Sequence, residues 1–252
     1  MRDDRGMTDI GLPTNRTLSG RNLTYGLLDE LGRAIVTGAF IENPFPTEAD
    51  LAKHYGVSRS VTREAVKMLT AKGLLSARPR QGTVVRPESA WNLFDPDVLR
   101  WLLERKFSLV LLRQFSELRV TIEPGAAALA ARAGTPEGLA LIEAGYRRMV
   151  AAEQGRDDPL DADIAFHISI LQASGNPFYA QFRDVVVTAL RTSILFTNRY
   201  QGRTASLPAH RAVKDAIEAR DPDAAHDAMG AIITEVLVLI DEAEKQAKRP
   251  VA

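Results

Sequence analysis

Cysteine is absent from all 252 residues, which excludes disulfide bridges and thiolate metal sites and permits a reducing compartment. Net charge is absent too: 32 basic residues balance 32 acidic ones, so any surface that attracts a polyanion must be local. No apolar run approaches the ~18 residues that span a bilayer. Residues 1–20 lack a signal-peptide core, and a cytoplasmic protein is expected. Neither a nucleophile elbow nor a phosphate loop occurs, which removes two common enzyme signatures. What remains is a chain that is 45% hydrophobic and long enough for two domains. Its first twenty residues, rich in Gly, Thr, Arg and Asp without periodicity, read as a disordered arm.

Local charge appears at once at residues 51–86. Lys53, Arg59, Arg63, Lys67, Lys72, Arg78, Arg80 and Arg86 face only Glu64, so the excess is 8 − 1 = +7. The same stretch is punctuated as helix, turn, helix and hairpin. Pro44 and Pro46 set up Thr47 as an N-cap, and Leu51 and Tyr55 share one face. Gly56 permits a sharp turn. Ser58 then caps a helix starting at Arg59, with Val61, Ala65, Met68, Leu69 and Leu74 expected inward and Arg59, Ser60, Arg63 and Lys67 elsewhere. Ser76–Ala77 and Thr83–Val85 read as short strands joined by Arg78, Pro79, Arg80, Gln81 and Gly82. An earlier helix, 23–38, carries Leu27, Leu28, Leu31 and Ile35 on one stripe. Together these elements form a winged helix-turn-helix over 21–86, a device for reading double-stranded DNA.

After a linker at 87–92, residues 93–249 read as helices only. Their starts are marked by Asp95–Pro96, Leu109, Thr135–Pro136, Pro159, Asn176–Pro177, Pro208 and Asp221–Pro222. Seven helices with short connections make a bundle. The predicted fold class is mainly α: a winged helix-turn-helix followed by an all-α effector domain. Trp91 and Trp101 are expected to pack the junction.

Within the bundle, Asp163 and His167 stand i,i+4 on one helix, so carboxylate and imidazole project from the same face. His210 opens a later helix. One oxygen and two imidazoles suit a divalent ion such as zinc, nickel or manganese. The plainer alternative is an ordinary helix-surface pair with His210 merely near a helix start. Arg119 lies in an apolar helix, where an unpaired charge costs several kcal/mol, so it requires an anionic partner. That partner is either Glu123 at i+4, or another internal carboxylate, or the carboxylate of an effector.

The run VSRSVTREAVKMLTAKGLL with its Gly-tipped wing resembles the GntR family of bacterial transcription regulators. SELRVTIEPGAAALAA, DIAFHISILQASGNP and HRAVKDAIEARDPDAA resemble the effector domain of its FadR subfamily. The resemblance implies that Ser58, Arg59, Ser60 and Arg63 contact bases and phosphates in the major groove. It implies phosphate contacts for Lys53, Arg78 and Arg80, and a homodimer reading two half-sites. It places Arg119, Asp163, His167, Tyr200 and His210 around a small carboxylate or sugar-acid effector, with Asp163, His167 and His210 also the metal ligands. A ligand-released repressor of a sugar-acid catabolic operon, for aldonates or hexuronates, is the implied function.

This sequence departs from the family pattern in two places. Glu42–Asn43 and Ala49 stand where relatives often carry Pro-Gly and an arginine, so one DNA contact is missing. The family's last histidine aligns with Ile232; His226, six residues earlier, is about 600° around the helix and cannot replace it. Two other classes compete with the regulator reading. One is a metal-dependent hydrolase tethered to DNA, using Asp163, His167 and His210; the other is an architectural module without a small ligand, against which Arg119 argues.

Overall fold

A computed structural model describes residues 23–78, 82–106, 108–200 and 205–247. The expected arm at 1–20 and the wing tip at 79–81 lie outside the described residues. Contacts divide the chain into two compact units, Met1–Lys106 and Phe107–Ala252. The architecture is mainly α: a helix-turn-helix with a two-stranded wing, then a helical domain.

The first unit contains α1 (Leu23–Val36), α2 (Glu48–Tyr55), α3 (Arg59–Ala71), β1 (Leu75–Arg78), β2 (Gly82–Val85) and α4 (Pro96–Leu102). Thr47 and Asp50 form a reciprocal capping box at the start of α2. Gly56 ends α2 at φ 64°, ψ 32°, the left-handed region the turn requires. Ser58 Oγ then accepts the Val61 amide to open α3. Leu27, Leu28, Leu31 and Ile35 are all buried, as their stripe predicts. On α3 the inward face is turned by one residue from expectation: Thr62, Ala65, Val66 and Leu69 are buried, while Val61 and Met68 are only half-buried. Thr62 can go inside because its hydroxyl donates to Ser58 O at 3.3 Å. The strands pair antiparallel from Leu75↔Val85 to Arg78↔Gly82, adding Leu75 and Arg78 to the first strand and Gly82 to the second relative to the sequence reading.

Two expectations about the domain boundary are corrected. The segment 87–92 doubles back as a 3-10 turn, and the Asn92 amide donates to Lys72 O at 2.9 Å. Helix α4, expected in the effector domain, packs on α1 instead. The Trp101 ring is fully buried against Gly32, and its Nε1 donates to Asp29 Oδ1 at 2.8 Å. Arg100 reaches the same carboxylate at 2.6 Å, and Arg33 pairs with Glu104 at 2.6 Å. Lys72 sits between Asp95 and Asp97, 2.8 Å from each, which removes it from the basic surface. The apolar face of α4 does not encode which domain it covers, whereas the side chains that choose its partner come from 23 to 72 residues away in sequence.

A Cβ on Gly32 would lie 2.2 Å from Trp101 Cη2. Gly32→Val is therefore expected to destabilise this unit by at least about 1–3 kcal/mol. Trp91 and Trp101 are the only tryptophans and both belong to it, so denaturant unfolding followed by tryptophan fluorescence reads this unit alone. An unchanged midpoint would show that α4 does not need the contact.

The second unit contains α5 (Leu109–Ala133), α6 (Pro136–Glu153), α7 (Pro159–Ala173), α8 (Pro177–Ala180), α9 (Arg183–Tyr200), α10 (Leu207–Glu218) and α11 (Pro222–Ala247). Ser108, Thr135, Asp158, Asn176 and Ser206 cap their helices through side-chain oxygens, four of them with proline in the first turn. The predicted fifth helix is in fact two, α8 and α9. Helix α7 buries Ala162, Ile164, Phe166, Ile168, Ile170 and Leu171, apolar residues on all sides, as a central helix must, together with His167. Among the described residues no helix is long and apolar enough to cross a membrane.

Candidate functional site

In the first unit the outward face of α3 carries Arg59, Ser60, Arg63 and Lys67, all exposed, with Lys53 on α2 and Arg78 at the wing also exposed. Arg63 Nε lies 3.4 Å from Glu48 Oε2, a solvent-exposed pair of little net strength. Ser58 and Ser60 hydroxyls share a 2.8 Å hydrogen bond at the start of the helix. Arg59 makes no ion pair among the described residues. Arg80 lies outside them.

In the second unit α7 and α10 bring Asp163, His167 and His210 together: the i,i+4 spacing predicts the first two on one face, and the family resemblance implies the third. Both imidazoles are buried. His210 Nδ1 is 2.8 Å from Ser206 O. A carbonyl only accepts, so Nδ1 carries the hydrogen and Nε2 of the neutral ring carries a lone pair. His167 Nδ1 donates to Glu123 Oε2 on α5, which leaves its Nε2 in the same state. The two Nε2 atoms are 3.4 Å apart, and they lie 3.1 Å (His210) and 3.6 Å (His167) from Asp163 Oδ1. Oδ1 is buried and accepts no hydrogen bond of proper geometry. Phe166 meets both imidazoles edge-on, at 6.0 and 5.2 Å, and fixes their planes.

With both rings in the neutral form, three lone pairs converge there. Their separations are close to the ~3.3 Å edge of a tetrahedron whose ligands stand about 2.0–2.1 Å from a central ion. The outward-held Nδ1 hydrogens are the orienting bonds that metal-ligating histidines require. The donor set therefore fits a divalent ion. His226 takes no part: it is 55% exposed and contacts Asp227. Ile232 is half-buried and packs against the bundle core, so the fourth family ligand is replaced by an apolar side chain.

Glu123 is the residue that sequence reasoning undervalued. It appears there only as one possible partner of Arg119, and the structure shows that it is that partner: Arg119 Nε donates to Oε1 at 2.5 Å, with both side chains buried. Burial pushes the Glu123 carboxyl up, but the charges of Arg119 and His167 outweigh it and hold the group down to about 2. Asp163 is likewise raised by burial, yet His210 beside it and the charges of His167 and Arg119 leave it below the ordinary value. The i,i+4 spacing of Arg119 and Glu123 on an apolar helix was the available signal; the reach from α5 to His167 was not. The side chain of Tyr200, at the end of α9, lies outside the described residues.

Residues 26–85 match the family model for bacterial regulatory proteins of the gntR family, and residues 114–235 match that for the FCD domain. The galactonate operon transcriptional repressor of Escherichia coli (strain K12) is 35% identical over 212 residues, covering 82% of this chain and 92% of that protein. The chain belongs to the GntR family. An HTH-type regulator of the same bacterium, YieP, is 34% identical over 225 residues, 88% of this chain and 97% of its own. Among solved structures, that of Lar, which controls expression of the Listeria monocytogenes agr system, superposes with a TM-score of 0.55 at 19% identity. That match covers 89% of this chain and 99% of the other, and speaks to the fold alone. A GntR-family chain with an FCD domain is a ligand-responsive DNA-binding regulator and not an enzyme, which sets aside the tethered-hydrolase reading of the triad.

Proposed function

We propose that this regulator is a homodimeric repressor of a sugar-acid catabolic operon, released from DNA when an aldonate or hexuronate enters the bundle beside Asp163, His167 and His210. The observation that carries the reading is the convergence of one carboxylate oxygen and two imidazole nitrogens inside the bundle. Asp163 Oδ1 and the Nε2 atoms of His167 and His210 lie 3.1–3.6 Å from one another, while the Nδ1 atoms of the two rings are engaged by Glu123 and by Ser206 O. A cation placed among them would compensate the carboxylate and engage all three atoms. A divalent ion held by these three residues would supply a centre for an anionic effector. Arg119, its charge shared with Glu123, orients His167 through that carboxylate; Tyr200 is the aromatic expected at the effector. The similarity to a galactonate operon repressor supports a sugar acid.

In the first unit, Arg59 and Arg63 are one helical turn apart and reach the same groove face. We assign them to base recognition with Ser58 and Ser60, and Lys53, Arg78 and Arg80 to phosphates. Arg59→Ala is expected to weaken operator binding about 5–150-fold, the loss of one bidentate contact worth ~1–3 kcal/mol, and to relax sequence preference. Arg78→Ala should instead weaken specific and unrelated DNA alike and reduce the salt slope by about one. Fluorescence anisotropy at several salt concentrations separates the two; equal effects on both DNAs from Arg59→Ala would refute its assignment.

The whole reading is tested by a gel-shift titration against the gene's own upstream region, with and without aldonates and hexuronates. Release should follow a 5–150-fold affinity change, a coupling of ~1–3 kcal/mol. No retarded band at low salt would end the proposal, and a band indifferent to every sugar acid would remove the effector class.

A further inference from the structure

A groove of about 530 Å³ lies on the outer face of the second unit, between α6, the bend that follows it, and α10. Arg147, Arg156, Arg211 and Lys214 line it against Glu143 alone, an excess of 4 − 1 = +3. Its volume is that of a small-molecule site. Tyr146 and Val150 add carbon surface to the lining. Lys214 is largely buried, held by Glu143 at 3.3 Å and Glu218 at 2.8 Å, and lies 5.8 Å from the centre of the Tyr146 ring.

The three guanidiniums are not fixed in the same way. Arg147 pairs with Glu143 at 2.7 Å while remaining 76% exposed, and Arg211 stands 3.6 Å from Asp215 while 69% exposed. Exposed i,i+4 pairs of this kind are worth a few tenths of a kcal/mol and yield readily to a stronger anion. Arg156 contacts Gln154 and has no carboxylate partner among the described residues. Three planar forks facing a common space favour a tetrahedral dianion, which accepts bidentate bonds from more than one of them, over a single planar carboxylate.

We propose that this groove binds the phosphate group of a small phosphomonoester, at a site separate from the bundle interior. It is nonetheless close to the triad in construction. Tyr146 meets Phe166 at 6.4 Å, Phe166 meets both imidazoles, and Lys214 follows His210 by one turn of α10.

Isothermal titration of the full-length protein with inorganic phosphate, in chloride of matched ionic strength and with chelator present, is the test. Because the DNA-reading face also attracts phosphate, three proteins are compared: wild type, Arg156→Gln/Arg211→Gln, and Arg59→Gln. All three positions are exposed, and circular dichroism checks the fold. Saturable binding at one site per chain that weakens at least tenfold in the groove variant, and persists in Arg59→Gln, is the expected result. Absence of saturable binding in wild type, or equal binding by the groove variant, overturns the proposal. Because chelator is present throughout, neither result depends on the metal-site reading.

Discussion

Replacing Arg119 with methionine is expected to destabilise the effector domain by about 3–5 kcal/mol, since it strands the Glu123 carboxylate in the bundle interior. The pH dependence should change sign. In the wild type the folded pKa of Glu123 lies below the unfolded one, so its contribution is complete above about pH 4.5 and is lost as pH falls toward 2. Without Arg119, burial dominates and the folded value rises above 4.5, so the variant gains stability relative to wild type on acidification. Urea unfolding followed by circular dichroism at pH 7 and pH 4.5 measures both. A variant as stable as wild type at pH 7 would show that the pair contributes no net stability. The double change Arg119→Met/Glu123→Leu removes both charges and should recover most of the loss, while leaving His167 without the acceptor that orients it.

Loss of effector response is the second large effect. In Asp163→Asn or His210→Ala the converging set drops from three ligands to two, or exchanges its anion for a neutral amide. Operator binding in the absence of effector should stay within about twofold of wild type, since the DNA-reading residues belong to a separate unit. Release by whichever sugar acid dissociates the wild type should disappear. Glu123→Gln changes the acceptor behind His167 and also leaves Arg119 without its carboxylate partner, so divalent-ion affinity should fall about 10–100-fold and the domain should lose stability. Anisotropy of a labelled operator titrated with the sugar acid reads all three. Normal release in His210→Ala would contradict the assignment of the triad.

The features that sequence makes legible are those written within one or two helical turns. Thr47 and Ser58 cap their helices as read, Gly56 takes the left-handed turn, and Asp163 and His167 share a face. His210 was placed by its helix start and resemblance to the family, and it does join them. What failed was decided by groups distant in sequence. Thr62 replaces Val61 inside because its hydroxyl finds Ser58 O, a satisfaction that apolar counting does not weigh. Lys72 counts toward the basic excess in composition, but Asp95 and Asp97 neutralise it locally. Helix α4 carries an apolar face that suits either unit, and Gly32, Asp29 and Arg33 on α1 decide the matter. Glu123 reads as a helix-pair acid from its spacing, whereas its second bond runs to α7, 44 residues further along the chain.

Metal analysis of full-length protein purified without chelator bears most directly on the buried triad. The converging lone pairs of Asp163, His167 and His210 predict close to one zinc, nickel or manganese ion per chain, lost in His210→Ala. A stoichiometry near zero in the wild type, unchanged after incubation with each of the three ions and removal of excess, would contradict it.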